Sequence, residues 1–164
     1  MARPDLIRRL EEYARHRNLR LGEHLGSGVH GIVFTAHSQH QIVHSALKAH
    51  GMHAAYARER DVYLHLRQLG IELVLECSVP ALLNHDDELM ILEMSIVDRP
   101  FVLDFGGAYL FQPPHFPDEV WADWRAEKIE QFGDRWPDAE AVLRELQRLD
   151  IHMIDVNPGN ISFE

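Results

Sequence analysis

The sequence predicts an α+β fold, in which short strands and one long helix come first and a smaller helical part follows. Three observations predict it. Polar and apolar residues alternate before a glycine-rich segment, residues 26–31, and β-branched and aromatic residues follow it, as expected of a β-hairpin. Residues 54–69 place apolar side chains at helical spacing. Two further helical patterns follow residue 117. The length of 164 residues suggests one domain, in which we expect the sheet in residues 1–97 and mainly helices in residues 98–164.

Charge and cysteine content narrow the class of protein. The formal net charge of −10 argues against a non-specific nucleic-acid binder, because such proteins usually present a basic face. Cys77 is the only cysteine, so no intramolecular disulfide can form, in keeping with a reducing compartment. Neither a signal-peptide pattern nor an apolar run of membrane-spanning length occurs. We therefore expect a cytoplasmic protein with no nucleic-acid partner and no membrane partner.

The remaining elements follow from local patterns in chain order. Asp5 can cap a first helix over residues 5–18, whose apolar stripe indicates a packing role. A turn at residues 38–40 separates the hairpin from a third strand. Gly70 ends the long helix, and Pro80 indicates an edge strand or a bulge. The predicted strands are residues 19–25, 32–36, 41–49, 78–84, 88–94 and 101–105, and the later helices are residues 118–132 and 139–149.

Two charged residues lie where apolar neighbours are expected. Lys48 lies on the third strand, although strand alternation alone also allows it to point to solvent. Glu59 shares a helical stripe with apolar residues, and it could pair at the surface with Arg58 or Arg60. A buried charge is costly unless it is paired. We favour a Lys48–Glu59 pair, because it accounts for both residues at once.

The last stretch brings an acid and an amide together. Asp155 and Asn160 lie on either side of a Pro-Gly turn, so their side chains can converge. A carboxylate beside an amide oxygen suits a hard cation or a hydroxyl proton. The alternative is an Asx-rich turn that caps its own backbone. Five histidines between residues 37 and 53 could bind a transition metal, but no cysteine or carboxylate cluster completes the set, and we expect surface positions.

In this order, the motifs resemble those of the protein-kinase-like superfamily. The match comprises G-x-G-x-x-G-x-V at residues 26–33, a third-strand lysine, a helix glutamate, and D-x-x-P-x-N at residues 155–160. It covers the chain from about residue 19 to residue 164. The resemblance implies a kinase-like fold: a five-stranded antiparallel N-lobe sheet with a C-helix, a hinge near residue 97, and a reduced helical C-lobe.

The resemblance also implies a site for ATP and Mg²⁺. Lys48 would hold the α- and β-phosphates, with Glu59 positioning it. Asp155 would be the catalytic base that orients an acceptor hydroxyl, which makes Asp155 and Lys48 the catalytic pair. Asn160 would help to bind Mg²⁺. The residues expected to contact the nucleotide are Gly26, Gly28, Gly31, Val33, Lys48, Glu59, Glu93 and Met94, the last two in a hinge over residues 93–96.

The chain departs from the family pattern in several places. Met153 stands where the family commonly has histidine, and Asn157 stands where protein kinases usually have lysine. The chain stops soon after Asn160, where the metal-binding D-F-G and further helices are expected. A D-F-G does occur, but early, and its Asp104 could replace the missing metal ligand. We favour an accidental match, because a strand that leaves the hinge should place Asp104 at the adenine end of the cleft.

These observations lead to two main functional hypotheses. The first is ATP/Mg²⁺-dependent phosphoryl transfer to a protein or to a small hydroxylated substrate. The alternative is a pseudokinase-like module that binds nucleotide or acts as a scaffold without turnover. A protein-interaction domain without nucleotide is a third interpretation. Because a reduced C-lobe would leave apolar surface exposed, we also expect a homodimer or a partner protein that covers it.

Overall fold

The computed structural model describes residues 3–38 and 44–163. Within these ranges, helices and strands are interleaved along the chain. The helices are α1 (Arg3–His16), α2 (His53–Leu69), α3 (Asp118–Phe132) and α4 (Trp136–Arg148). The strands are β1 (Leu19–Gly28), β2 (Gly31–Ser38), β3 (His44–His50), β4 (Leu73–Val74), β5 (Cys77–Ser78), β6 (Leu82–Asp86), β7 (Ile91–Ser95), β8 (Phe101–Val102), β9 (Ala108–Leu110), β10 (Ile151–Met153) and β11 (Ile161–Ser162).

A five-stranded antiparallel sheet, in the order β1-β2-β3-β7-β6, forms the first part of the molecule. The predicted α+β class and the five antiparallel strands are therefore confirmed. The predicted start of the third strand, residues 41–43, lies outside the described residues, as do residues 39 and 40 of the predicted turn. No helix within the described ranges is both long enough and apolar enough to cross a membrane.

Helix α1 packs on one face of this sheet. Its apolar stripe, with Leu6, Leu10 and Tyr13, is buried against apolar residues of β2, β3 and β7. Arg9 fixes the helix to the sheet, because its guanidinium donates hydrogen bonds to the carbonyl oxygens of Leu89 and His50, each at 2.6 Å. The predicted packing role of the first helix is confirmed.

Strand β3 divides its side chains between two environments. Leu47 and Ala49 face α1, whereas Ala46 and Lys48 face the cleft on the opposite side, as the alternation of a strand requires. Helix α2 packs on this second side through Tyr56, Val62, Tyr63 and Leu66, and ends at Gly70, which takes a left-handed conformation with φ 69°.

Three predicted elements differ most from the structure, and strands β4, β9, β10 and β11 were not predicted. The predicted strand over residues 78–84 is two strands, β5 and β6, in different sheets, with Pro80 between them. Proline lacks the N–H that a ladder needs, so pairing breaks there, and β6 becomes the edge strand with a register shift after Leu82. The strand at residue 101 stops at Val102 and is followed by a 3₁₀ turn over Phe105–Gly107. Helix α4 was predicted from residue 139 but begins at Trp136, because Pro137 lies in the first turn, where a helix tolerates proline.

Two short ladders join distant parts of the chain. Strand β8 pairs with β11, and β9 pairs with β10, both antiparallel. At the base of the α3–α4 segment, the Phe111 amide donates to the Asp150 carbonyl at 2.8 Å. As a result, the loop after β8, which contains Asp104, lies beside the loop after β10, which contains Asp155.

Candidate functional site

A cleft of about 580 Å³ lies between the β1–β2 hairpin, strand β3, the residues after β7, and the two adjacent loops. This volume falls in the range of roughly 300–1,000 Å³ that small-molecule sites usually have. One end is apolar, with Val33, Ala46, Met94 and Leu103 among its lining residues. The other end is charged, and it contains most of the residues singled out in the sequence.

The glycine-rich segment forms the predicted hairpin. Gly26 pairs with Val33 and Gly28 with Gly31, so the chain reverses through Val29 and His30 alone. A Cβ at Gly31 would lie 2.0 Å from the Ala49 carbonyl oxygen, which requires glycine there. A Cβ at Gly26 or Gly28 would meet nothing within 4 Å. A Cβ at either position would enter open space, and both glycines line the cleft.

Lys48 and Glu59 form a buried ion pair, which confirms the pairing expected from the sequence. The Lys48 Nζ lies 2.7 Å from one Glu59 carboxylate oxygen, and His50 Nε2 donates to the same carboxylate at 2.6 Å. Burial alone would raise the pKa of Glu59, but Lys48 and His50 outweigh burial and lower it to about 2. Burial opposes the charge of Lys48 too, yet Glu59 and Asp104 raise its pKa. The expected surface position of His50 is wrong, because this histidine is fully buried.

The early D-F-G is not placed where the sequence suggested. Asp104 was expected at the adenine end of the cleft, but its carboxylate lies 2.7 Å from the Lys48 Nζ at the charged end. Strand pairing explains the error. The β8–β11 and β9–β10 ladders carry the loop away from the hinge and set it beside the loop of Asp155. Asp104 itself takes φ 65°, a left-handed conformation that aspartate tolerates better than most residues.

His30, which sequence reasoning missed, connects the hairpin to both loops. Its Nδ1 lies 3.2 Å from Asp104 Oδ1 and 3.7 Å from Asp155 Oδ2. Gly106 and Gly107 permit this approach. A Cβ at Gly106 would lie 2.8 Å from His30 Cγ, and one at Gly107 would lie 2.8 Å from Asp155 Cβ. His30 occupies an x position of the G-x-G-x-x-G pattern, and nothing in that pattern predicts a contact with Asp104 or Asp155.

Asn160 organises the loop after β10. Its side-chain amide donates to the Asp155 carbonyl oxygen at 2.6 Å, and its Oδ1 accepts from the Asn157 amide at 2.8 Å. Trp124 also donates to the Ile154 carbonyl at 2.9 Å. The loop thus caps its own backbone, as one interpretation of the sequence expected. The Asp155 side chain remains about half exposed, at 48 %, beside the charged end of the cleft.

The two expected hinge residues separate. Met94 lines the cleft, whereas the Glu93 side chain points to the opposite face of the sheet, where Tyr13 donates to it at 2.8 Å and Arg17 at 3.1 Å. Neighbouring residues of a strand face opposite sides, so Glu93 and Met94 cannot both line the cleft. Burial and the adjacent Glu93 raise the pKa of Tyr13. The Glu93 side chain therefore anchors α1, and only the backbone of this residue is left for the expected hinge contact with nucleotide.

The charged end suits a hard cation that arrives with an anionic ligand. Asp104 and Asn160 both line the cleft there. Within the described residues, no group of three or more histidine, cysteine or acidic side chains could hold a metal by itself. Mg²⁺ commonly takes only one or two protein ligands and completes its shell with phosphates and water. The two protein donors could therefore hold a hard cation only if a bound anion and water completed its shell.

Comparison with known proteins gives no family for this chain. No protein-family model matches it, and a search of curated proteins finds no significant match. What the cleft binds and does must therefore be inferred from its own residues.

Proposed function

We propose that this protein is an ATP/Mg²⁺-dependent phosphotransferase of the kinase-like type, acting on a protein or on a small hydroxylated substrate. The observation that carries the proposal is the 2.7 Å contact between the Lys48 Nζ and Asp104. It brings the out-of-order D-F-G to the lysine that Glu59 positions. Asp104 can then supply a carboxylate for a metal ion beside the lysine.

The charge balance supports a nucleotide that binds together with a cation. Glu59, Asp104 and Asp155 contribute three carboxylates at one end of the cleft, against the single ammonium of Lys48. A bare triphosphate would be repelled there, and a magnesium complex, whose net negative charge is smaller, would be repelled less. The opposite end, with Val33, Ala46 and Met94, offers apolar surface for a base.

Each residue then has a distinct role in transfer. Bound Mg²⁺ would supply charge neutralisation of the phosphates, with Asp104 and Asn160 as its protein ligands. Lys48 would hold the phosphate chain in position while Glu59 fixes the ammonium. Asp155, half exposed at the mouth of the cleft, would accept the proton of an incoming hydroxyl. Catalysis would come from positioning and charge stabilisation.

Thermal unfolding with and without Mg-ATP tests nucleotide binding. A ligand that binds the native state raises the melting temperature, and we expect Mg-ATP to do so while ATP with a chelator does not. The sequence has two lysines, Lys48 and Lys128, which provides a matched control. Lys48→Met should abolish the shift. Lys128→Met, on α3 away from the cleft, should preserve it. The absence of any shift in the wild type would refute nucleotide binding.

Labelled γ-phosphate distinguishes an enzyme from a binding module. The half-exposed Asp155 and the self-capped Asn160 favour the alternative, a pseudokinase-like nucleotide-binding or scaffold module, because neither side chain is held towards a substrate. For an enzyme, we expect transfer or hydrolysis that Asp155→Asn removes while the Mg-ATP shift persists. A shift without turnover would support the alternative. Turnover that survives in Asp155→Asn would exclude Asp155 as the base.

A further inference from the structure

We propose that His30 contacts the terminal phosphate of the bound nucleotide and so makes the site prefer a nucleoside triphosphate to a diphosphate. This inference rests on the proposed nucleotide function. It assigns to the tip of the glycine hairpin a side-chain role beyond backbone contacts. Three features of His30 support it: the side chain points into the cleft, it contacts Asp104 and lies near Asp155, and Gly106 leaves room for its ring.

The hairpin turn directs His30 into the molecule. The turn has two residues, Val29 and His30. Val29 is 83 % exposed, whereas the His30 side chain is only 12 % exposed. A polar residue at an exposed turn would ordinarily point to solvent, because hydration satisfies both ring nitrogens there. His30 instead points to the charged end of the cleft.

His30 occupies the space between the two acids of the proposed reaction. Its Nδ1 shares Asp104 Oδ1 with the Lys48 Nζ, at 3.2 Å and 2.7 Å respectively, and faces Asp155 Oδ2 at 3.7 Å. The transferring group must lie between the metal-binding acid and the catalytic base. A ring nitrogen between these two acids would meet the terminal phosphate, which is the group that transfers.

The surroundings are shaped to admit the ring. A Cβ at Gly106 would lie 2.8 Å from His30 Cγ and 2.9 Å from Nδ1, closer than real side chains approach. Among the described residues that line the cleft, Lys48 and His30 are the basic ones. Lys48 and His30 meet at the same carboxylate oxygen, Asp104 Oδ1, in a cleft that Gly26 and Gly28 also line. A phosphate that took the place of this carboxylate would have both basic groups beside it.

Binding would exchange one set of partners of His30 for another. Without nucleotide, the ring donates to the Asp104 carboxylate, which would occupy the place of a phosphate oxygen. With Mg-ATP, Asp104 would turn to the metal and His30 would donate to a terminal phosphate oxygen. A diphosphate ends short of this position, so it leaves the exchange incomplete. The histidine therefore contributes to triphosphate affinity and little to diphosphate affinity.

The experiment compares Mg-ATP and Mg-ADP affinities by titration calorimetry on the whole chain. In His30→Ala, we expect Mg-ATP to bind about tenfold or more weakly and Mg-ADP to bind nearly as before, since a hydrogen bond to a charged group is worth that factor. His30→Asn, which keeps an N–H donor, should recover part of the preference. The control Val29→Ala, at the other turn residue, should leave both affinities unchanged.

The outcomes separate this inference from the proposed function. Equal weakening of Mg-ATP and Mg-ADP in His30→Ala would show that the ring only holds the hairpin in place, and would overturn the inference while nucleotide binding stands. A wild type that binds neither nucleotide would overturn both. A preserved triphosphate preference in His30→Ala would also overturn it, whatever the result with His30→Asn.

Discussion

Glu59→Gln should destabilise the protein strongly, and in a way that depends on pH. The substitution keeps the shape of the side chain but removes a charge that Lys48 and His50 contact at 2.7 Å and 2.6 Å in a fully buried position. Among the described residues, Lys48 would then retain Asp104 as its only carboxylate partner. Breaking a buried ion pair from one side is costly, because the remaining charge has been removed from water without full compensation.

The pKa of Glu59 sets the size of the stability loss and the direction in which that loss changes with pH. Its fall from 4.5 to about 2 corresponds to about 3 kcal/mol, at about 1.4 kcal/mol per pKa unit. Because the folded-state pKa is the lower one, this stabilisation is complete above pH 4.5 and is lost as the pH falls through about 2. Near pH 7 the variant should therefore lose about 3 kcal/mol, or about 6–12 °C in melting temperature for a domain of this size.

Urea unfolding of the wild type and the variant, at several pH values from 7 to 3, checks this expectation. Asp87→Asn is the matched control. The hydrogen bonds from Tyr56 and Arg60 also lower the pKa of Asp87 to about 2, but its side chain is 59 % exposed. Solvent screens such a pair, so the control should lose less than about 1 kcal/mol. Equal losses in the two variants, or a Glu59→Gln loss that does not shrink below pH 4.5, would refute the reasoning.

Three further predictions concern the loops, the sheet and the surface. Gly107→Ala should lower the rate of phosphoryl transfer by about a hundredfold, because a Cβ there would lie 2.8 Å from the Asp155 Cβ and would displace this base by about 1 Å. As a control, Gly51→Ala should leave kcat unchanged, because a Cβ at residue 51 meets nothing within 4 Å. Glu93→Gln should lose about 1–3 kcal/mol of stability in urea unfolding while Mg-ATP affinity stays the same, since the side chain faces α1; a weakened affinity would contradict this placement. Exposed apolar residues such as Phe111 should be covered by a second copy or a partner, and a monomer at micromolar concentration in light scattering would count against it.

Local patterns were sufficient for most of the sheet and for the buried ion pair. The stripe of α2 identified Glu59 as a carboxylate among apolar residues, and β3 supplied Lys48 on the face towards it. Each of these two charges would be unfavourable among apolar residues without the other, so one sequence was enough to predict that they pair. Alternation along β7 could also have excluded Glu93 from the cleft, because Met94, its neighbour, must face the other side.

The location of Asp104 could not be predicted in the same way. It depends on two ladders of two and three residue pairs, between strands that are distant in the chain. Short strands have weak patterns, and pairing partners are not specified by composition. The contact of His30 with Asp104 and Asp155 depends in turn on that placement, so it had no signal of its own.

The two ladders are nested, and this has a consequence for how the molecule is built. The β9–β10 ladder closes the segment that contains α3 and α4, and the β8–β11 ladder closes a longer segment around it. Loop closure costs entropy that grows with length, so the inner ladder can reduce the cost of the outer one. Hairpins such as β1–β2 and β2–β3 need no such closure and form from neighbouring segments. Lys48 and Glu59 are eleven residues apart and can meet through a short closure. Asp104 lies just before β9 and Asp155 just after β10, at the same end of their antiparallel ladder, so the charged end of the cleft depends on a pairing between distant segments.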